Sequence, residues 1–148
     1  MYANVRKGRY IIVNVEKYKG DSKNVVYRSG LEYRMMRYLD LHTDVLEWSS
    51  EEVVIPYLSP IDGKIHRYFV DMYALVRRKD GSTEKLLIEV KPEAQTRAPR
   101  KKKVLTESYI NAAATWAVNQ AKWKAASAFC KSKGWTFKII TEKDLAPK

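Results

Sequence analysis

The sequence is poor in the residues that cross-link, interrupt or anchor small proteins. Its 148 residues include one cysteine, Cys130, which cannot form an intrachain disulfide, and only 6 Gly and 5 Pro. No repeat, low-complexity tract or Gly/Ser-rich linker divides the chain. No apolar run approaches the ~20 residues of a membrane-spanning helix, and residues 1–9 lack the apolar block of a secretory signal. We therefore expect a single domain over 1–148, with an N-terminal arm or strand over 1–25 and a core over about 26–141, working in a reducing cytoplasm.

Acidic residues are also scarce, which bears on the kind of partner. The chain has 17 Asp and Glu against 28 Lys and Arg, a formal net charge of +11. The charge is +6 over residues 1–37, −4 over 38–96 and +9 over 97–148. A basic surface kept only for solubility would not leave the middle of the chain negative, so the distribution favours nucleic acid as partner. An anionic membrane is disfavoured, because no basic amphipathic helix with a strongly apolar face occurs.

The order of apolar patterns predicts a mixed α/β sandwich in which a sheet lies between helices. Helices are expected over 30–41, where apolar residues recur at helical spacing, and over 106–132, which is Ala-rich, lacks Gly and Pro, and ends before Gly134. A strand or extended arm is expected over 10–15, and strands over 52–57, 65–77, 84–91 and 135–141.

The loop of the predicted hairpin decides which side chains face each other across it. Residues 79–81 are Lys-Asp-Gly between two alternating stretches, a typical hairpin signal. In a three-residue loop, with Gly81 taking the positive φ of a bulged turn, Asp71 lies directly opposite Glu89. A two-residue loop would pair Asp71 with Val90 instead and place the two acids on opposite faces of the sheet.

Two carboxylates that face the same way on neighbouring strands repel each other unless a cation lies between them. Mg²⁺ prefers carboxylate oxygens together with water and phosphate oxygens, so Asp71 and Glu89 suit phosphoryl chemistry with Mg²⁺, or with Mn²⁺ in its place. Lys91, two residues beyond Glu89 on the same face, could contact the scissile phosphate. The competing interpretation is a solvated ion pair at a strand edge, since Glu-x-Lys triplets are common.

An upstream acid, Glu32, completes a pattern that resembles the PD-(D/E)xK nuclease superfamily: an acid on a helix, Asp71 on one strand and Glu89-Val-Lys91 on the next. Over about residues 26–141 the chain is similar to the TnsA-type transposon endonucleases and, more closely, to the head completion nucleases of T-even-type phages. The stretches that carry this likeness include Tyr27-Arg-Ser-Gly-Leu-Glu32 and Gly134-Trp-Thr-Phe-Lys-Ile-Ile-Thr-Glu142. The sequence departs from the superfamily in having Val70, not Pro, before Asp71.

The resemblance implies a restriction-endonuclease-like core and a Mg²⁺-dependent deoxyribonuclease that processes DNA ends after genome packaging. Metal would be held by Asp71, Glu89, the Val90 carbonyl and Glu32, and Lys91 would stabilise developing charge. It also implies double-stranded DNA as substrate, phage head or portal proteins as partners, and action in the bacterial host cytoplasm or in the virion. Two alternatives remain open: a non-catalytic, DNA-end-binding structural protein of the virion head, and a Holliday-junction resolvase.

Three further residues have two interpretations each. Glu32 with Ser29 also forms a capping-box pattern, in which each side chain accepts from the other residue's amide. Gln120 is polar within the expected apolar face of the second helix, so it is either an additional catalytic residue or a paired core amide. Lys122 is either a DNA contact or a surface lysine whose stem lies on apolar neighbours.

A cluster of basic residues follows the second hairpin strand, where Pro92 and Pro99 prevent a continuous strand or helix. We expect a flexible loop there that contacts DNA phosphates without reading sequence. His42 and His66 show no metal-ligand spacing, and Cys130 is expected to be a small buried apolar residue. The residues of this basic loop are Arg97, Arg100, Lys101, Lys102 and Lys103.

Overall fold

The computed structural model of the chain describes residues 7–145. Two short 3₁₀ turns, Val15–Lys17 and Glu93–Thr96, supplement the regular elements. In chain order the strands and helices are β1 (Gly8–Arg9), β2 (Val26–Tyr27), α1 (Gly30–Leu41), β3 (Val45–Ser50), β4 (Val54–Leu58), β5 (Ile65–Phe69), β6 (Met72–Arg77), β7 (Thr83–Val90), α2 (Glu107–Lys133) and β8 (Thr136–Ile140).

A four-stranded mixed sheet forms the centre of the fold. Its order is β3-β6-β7-β8, with β8 parallel to β7 and the other neighbours antiparallel. One face packs on α1, where Met36 and Leu39 join Ile88 in the core, and the other packs on α2, where Trp123 and Ala126 join Leu87. Full burial of such an apolar side chain contributes about 1.5–3 kcal/mol, so both helices are held mainly by the sheet. The predicted sandwich, a mixed central sheet flanked by helices, is confirmed.

Local sequence signals set the ends of both helices. At α1, the Ser29 hydroxyl accepts from the Glu32 amide at 3.1 Å, and at α2 the Thr106 hydroxyl accepts from the Tyr109 amide at 3.1 Å. Gly134 ends α2 with φ of 73°, a left-handed conformation that glycine adopts without steric cost. The predicted bounds are confirmed, at the same residues for α1 and within one residue for α2.

The β6–β7 hairpin has the predicted three-residue loop. Gly81 has φ of 87°, and the Arg78 amide donates to the Ser82 carbonyl at 2.7 Å. Met72 consequently pairs with Ile88, and the same register continued by one residue places Asp71 across from Glu89. The bulged turn therefore brings the two acids to adjacent positions on neighbouring chain segments.

The strand predicted over 65–77 is wrong as a single element. Its first part, β5, pairs with β4 in a separate two-stranded sheet, the β4–β5 ribbon, and its second part is β6 in the main sheet. Between them the Val70 amide donates to the Val53 carbonyl, and the Asp71 carbonyl accepts from the Glu51 amide. The predicted faces change as a result, because Val70 packs with the α2 side of the core while Met72 packs with the α1 side.

Other bounds also shift. The strand predicted over 52–57 is β4, which begins at Val54, and β3 is a strand that the sequence patterns did not indicate. Residues 10–14 form an extended arm and not a strand, with Tyr10 and Ile12 buried, and Val15 begins the first 3₁₀ turn. The arm is held by the fully buried Asp40, whose carboxylate accepts from the Tyr10 hydroxyl at 2.7 Å and from the backbone amides of Val13 and Asn14.

Residues 1–6, part of the arm predicted over 1–25, lie outside the described residues. Among the described residues, neither helix combines the length and the apolar character needed to cross a bilayer.

Candidate active site

Glu89 is buried and Asp71 is partly exposed, and both lie on the side of the main sheet that α2 covers. Asp71 lies at the corner between the β4–β5 ribbon and β6, and its Oδ2 accepts a 2.8 Å hydrogen bond from the Val90 amide. Glu89, next to the end of β7, is 4% exposed. The predicted acid pair is therefore brought together by the hairpin register and by the corner at Asp71.

Burial and neighbouring negative charge act together on Asp71. Burial raises the pKa of the Asp71 carboxyl well above its ordinary value, and the charges of Glu89 and Glu32 raise it further. The Val90 amide and the Lys91 ammonium oppose this shift without cancelling it. The surroundings of Asp71 thus disfavour its carboxylate form, and a bound cation would relieve the repulsion between the two acids.

Glu89 is held by two side chains with different chemistry. Its Oε1 accepts from the Tyr68 hydroxyl at 2.6 Å, and its Oε2 lies 3.4 Å from the Lys91 ammonium. Burial, and then the adjacent Glu89 charge, raise the pKa of Tyr68, so the tyrosine stays protonated and remains a donor. Glu89 is therefore fixed by a short charge-assisted bond on one oxygen, and Lys91 is positioned by the other.

Lys122, predicted to contact DNA, lies over the ring of the tyrosine that donates to Glu89. Its ammonium is 5.6 Å from the centroid of the Tyr68 ring and 5.8 Å from that of Tyr57, in cation–π contacts. Because the Tyr68 hydroxyl donates to Glu89, the Tyr68 ring connects Lys122 to the acid pair. Whether it also contacts DNA stays a prediction.

Glu32 lies near the pair at the start of α1. Its amide is capped by Ser29 as predicted, but its Oε1 accepts from the Arg28 amide at 3.3 Å and not from that of Ser29, so only half of the capping box is confirmed. Burial raises the pKa of Glu32, and the charges of Glu51 and Glu89 add to the shift. Glu32 therefore interacts electrostatically with Glu89, while its carboxylate accepts from the backbone amide of Arg28 just before the first turn of α1.

The oxygen donors of the pair suit a hard divalent cation. Within residues 7–145, no three His, Cys, Asp or Glu side chains converge closely enough to hold a metal ion by themselves. If Asp71 and Glu89 held such an ion, they would supply two carboxylate ligands, and water, phosphate or backbone oxygens such as the Val90 carbonyl would have to complete the coordination, as is usual for Mg²⁺.

Sequence patterns missed Tyr68 and the Arg28–Glu51 ion pair. A continuous strand would have placed Tyr68 on the face opposite Asp71, and only the corner at Val70 reverses the alternation.

Arg28 contacts both carboxylate oxygens of Glu51 at 3.2 Å, and Glu51 has a φ of 56°, which is uncommon for a residue other than glycine. This pair joins two distant segments, and no local signal could have indicated it.

The predicted burial of Gln120 is wrong. Gln120 is exposed, and its neighbour Asn119 is the buried polar residue of α2. The buried face of the helix consists of Asn119, Trp123, Ala126 and Cys130. The predicted apolar face included Gln120 and therefore differs from the buried face by one residue at this turn. Cys130 is buried as predicted.

The basic loop is irregular as predicted. It connects the Glu93–Thr96 turn to α2, and its basic residues are exposed to solvent. Arg97 lies 3.4 Å from Glu93, which leaves most of its side chain accessible. Contact of this loop with DNA remains a prediction.

The mixed sheet between two helices is consistent with a restriction-endonuclease-like fold. A family model described as "TnsA-like endonuclease N terminal" matches residues 42–142, and the chain belongs to this TnsA-like endonuclease family. The chain is also 38% identical, over 142 residues, to the head completion nuclease of Enterobacteria phage T4, an alignment that covers 93% of this chain and 92% of that protein. The resemblance drawn from the sequence motifs is thereby confirmed.

Proposed function

We propose that the chain is a divalent-metal-dependent endonuclease that hydrolyses phosphodiester bonds in double-stranded DNA. The observation that carries the proposal is the pairing of Asp71 with the buried Glu89, in which loss of solvent, and then the charge of Glu89, raises the pKa of Asp71. Without a cation, the raised pKa favours the protonated form of Asp71, which cannot bind a metal ion as a carboxylate. Mg²⁺, or Mn²⁺, held by the two carboxylates and the Val90 carbonyl, would stabilise both ionised acids.

When bound, the metal ion would act as a Lewis acid on the phosphate and lower the pKa of water. Water is the proposed nucleophile. Lys91, held 3.4 Å from Glu89, stabilises the negative charge that develops on the phosphate oxygens. Glu32 orients the attacking water or provides a ligand for a second ion.

Tyr68 and Lys122 keep the acid pair in place. The 2.6 Å bond from Tyr68 limits the motion of Glu89, and the Lys122 ammonium over the Tyr68 ring adds positive charge near the carboxylates. The basic loop supplies non-specific phosphate contacts that hold the duplex over the site.

The place of action is inferred from the similarity to a head completion nuclease. We propose that this chain, like the head completion nuclease that it is similar to, acts on phage DNA during head completion in the infected bacterial cell, with head or portal proteins as partners. Since the relative covers nearly the whole chain, the proposal applies to the whole domain.

Cleavage of linear plasmid DNA in Mg²⁺, Mn²⁺ or EDTA tests the activity. We expect metal-dependent cutting that Asp71→Asn and Glu89→Gln abolish while DNA retention on a filter is preserved. Asp44→Asn is the matched control, because it removes an exposed carboxylate beyond the far end of β6 and should leave cutting unchanged. Equal DNA retention with no cutting in any metal would replace the proposal with the structural DNA-end binder.

A further inference from the structure

A cavity of about 480 Å³ lies between the chain segment 94–100 and α2, outside the acid pair. Its volume falls within the range of ~300–1,000 Å³ typical of sites for small organic groups. The polar and aromatic side chains that line it are Gln95, Arg97, Arg100, Thr115, Trp116 and Asn119.

Asn119 is a buried polar residue that lines this cavity. It is 7% exposed, and its side-chain amide makes no hydrogen bond with the part of the chain that the structure describes. Among the described residues, the side-chain polar atoms that are fully buried without a partner are the indole Nε1 atoms of Trp48 and Trp123, so the Asn119 amide is unpaired but open to the cavity. A donor and an acceptor that are both open to the cavity suit a ligand that carries an acceptor beside a donor.

Trp116 gives the cavity an aromatic wall. Its ring packs edge-to-face against Trp123, with centroids 6.0 Å apart and planes at 88°, so the indole is held in place by the core. Arg97 and Arg100 add positive charge at the cavity. A planar group next to a phosphate matches an aromatic surface, a free amide and two guanidinium groups.

We propose that this cavity binds the nucleobase of an unpaired nucleotide at the end of the DNA substrate, which rests on the proposed action on DNA. The edge that a base uses in Watson–Crick pairing always presents a donor next to an acceptor, which the Asn119 amide can pair with in either orientation. That edge is free only in an unpaired base, so the cavity distinguishes a frayed or single-stranded end from a fully paired one.

The position of the cavity relative to the acids is consistent with this role. The segment that lines it follows β7 directly after Lys91, and Asn119 is one turn of α2 before Lys122, whose ammonium lies over the Tyr68 ring. A base held there would keep the adjoining strand next to Asp71 and Glu89. The enzyme would then act preferentially near ends that carry unpaired nucleotides.

Equilibrium binding in EDTA, where no cutting is expected, tests the proposal. The ligands are three duplexes of equal length: one blunt, one with a two-nucleotide 5′ overhang and one with a two-nucleotide 3′ overhang. We expect the wild-type chain to bind at least one overhang about 5-fold or more tightly than the blunt duplex, the lower end of what base stacking provides. Asn119→Ala should abolish this preference without weakening blunt-end binding. Asn111→Ala, an exposed amide on the same helix, is the control and should preserve it.

Equal wild-type affinity for all three duplexes, or an unchanged preference in folded Asn119→Ala, would overturn the proposal. If circular dichroism shows that Asn119→Ala does not fold, a 2-aminopurine at the unpaired terminal position of the overhang gives a second test in the wild-type chain. Its fluorescence should be quenched on binding by stacking on Trp116, and unchanged emission would also overturn the proposal. Overhang preference without metal-dependent cutting would retain this inference while removing the nuclease function.

Discussion

Removing the Tyr68 hydroxyl tests how the buried Glu89 carboxylate is held. Tyr68→Phe keeps the ring under the Lys122 ammonium and deletes only the donor that lies 2.6 Å from Glu89 Oε1. Both partners are only 4% exposed, so solvent screening is small. A hydrogen bond to a charged group contributes about 1.5–3 kcal/mol to the free energy of unfolding, and we expect a loss in that range. For a domain of this size the loss lowers the melting temperature by roughly 3–12 °C.

Tyr57→Phe is the matched control for this prediction. Tyr57 is 8% exposed, lies in the same ribbon and also contacts the Lys122 ammonium, but its hydroxyl makes no hydrogen bond with residues 7–145. We expect Tyr57→Phe to change the free energy of unfolding by less than about 0.5 kcal/mol. Both variants therefore lose one hydroxyl from a buried ring, and only one loses a hydrogen bond.

Urea unfolding at neutral pH in EDTA, followed by circular dichroism, measures both variants, and a double-mutant cycle with Glu89→Gln isolates the pair. We expect a coupling energy between positions 68 and 89 of at least about 1 kcal/mol. Equal stabilities of Tyr68→Phe and Tyr57→Phe, together with a coupling energy near zero, would refute the assignment of Tyr68 as the residue that fixes Glu89.

Two further predictions concern charge. The raised pKa of Asp71 means that the native chain keeps this proton to higher pH than the unfolded chain, whose value is near 3.8. In EDTA the stability of the wild-type chain should therefore fall, relative to Asp71→Asn, as pH rises from about 3.8 through the raised native pKa, and a difference that is constant with pH in thermal unfolding would contradict this. Replacing Lys101, Lys102 and Lys103 by Glu should weaken binding to all DNA sequences and flatten the plot of log affinity against log salt by about 0.9 for each lost phosphate contact. An unchanged slope would show that the loop does not contact DNA.

The parts of the site that follow from short-range geometry were predictable. Lys79-Asp80-Gly81 predicts a tight hairpin with two possible registers, and the one that forms is the three-residue bulged loop with a left-handed Gly81, which brings Asp71 opposite Glu89. The ends of both helices likewise follow from Ser29, Thr106 and Gly134, whose capping bonds involve neighbours within a few residues.

The parts that depend on tertiary pairing were not predictable. Residues 65–77 alternate as one strand, but β5 finds its partner in β4 and β6 finds its partners in β3 and β7. The same break reverses the alternation and moves Tyr68 to the side of Glu89. In α2, polar residues at both 119 and 120 leave the buried line ambiguous by one residue, and packing against the sheet selects Asn119.

The backbone of Asp71 has anchors on both sides of the chain's change of direction: its carbonyl is tied to Glu51 and the preceding amide to Val53. The link from β3 to β4 therefore fixes the backbone that carries this carboxylate, even though none of the side chains of that link needs to touch a substrate. Substitutions at residues 51–53 that tilt the ribbon against the main sheet would therefore shift Asp71 without changing the acids or the lysine themselves.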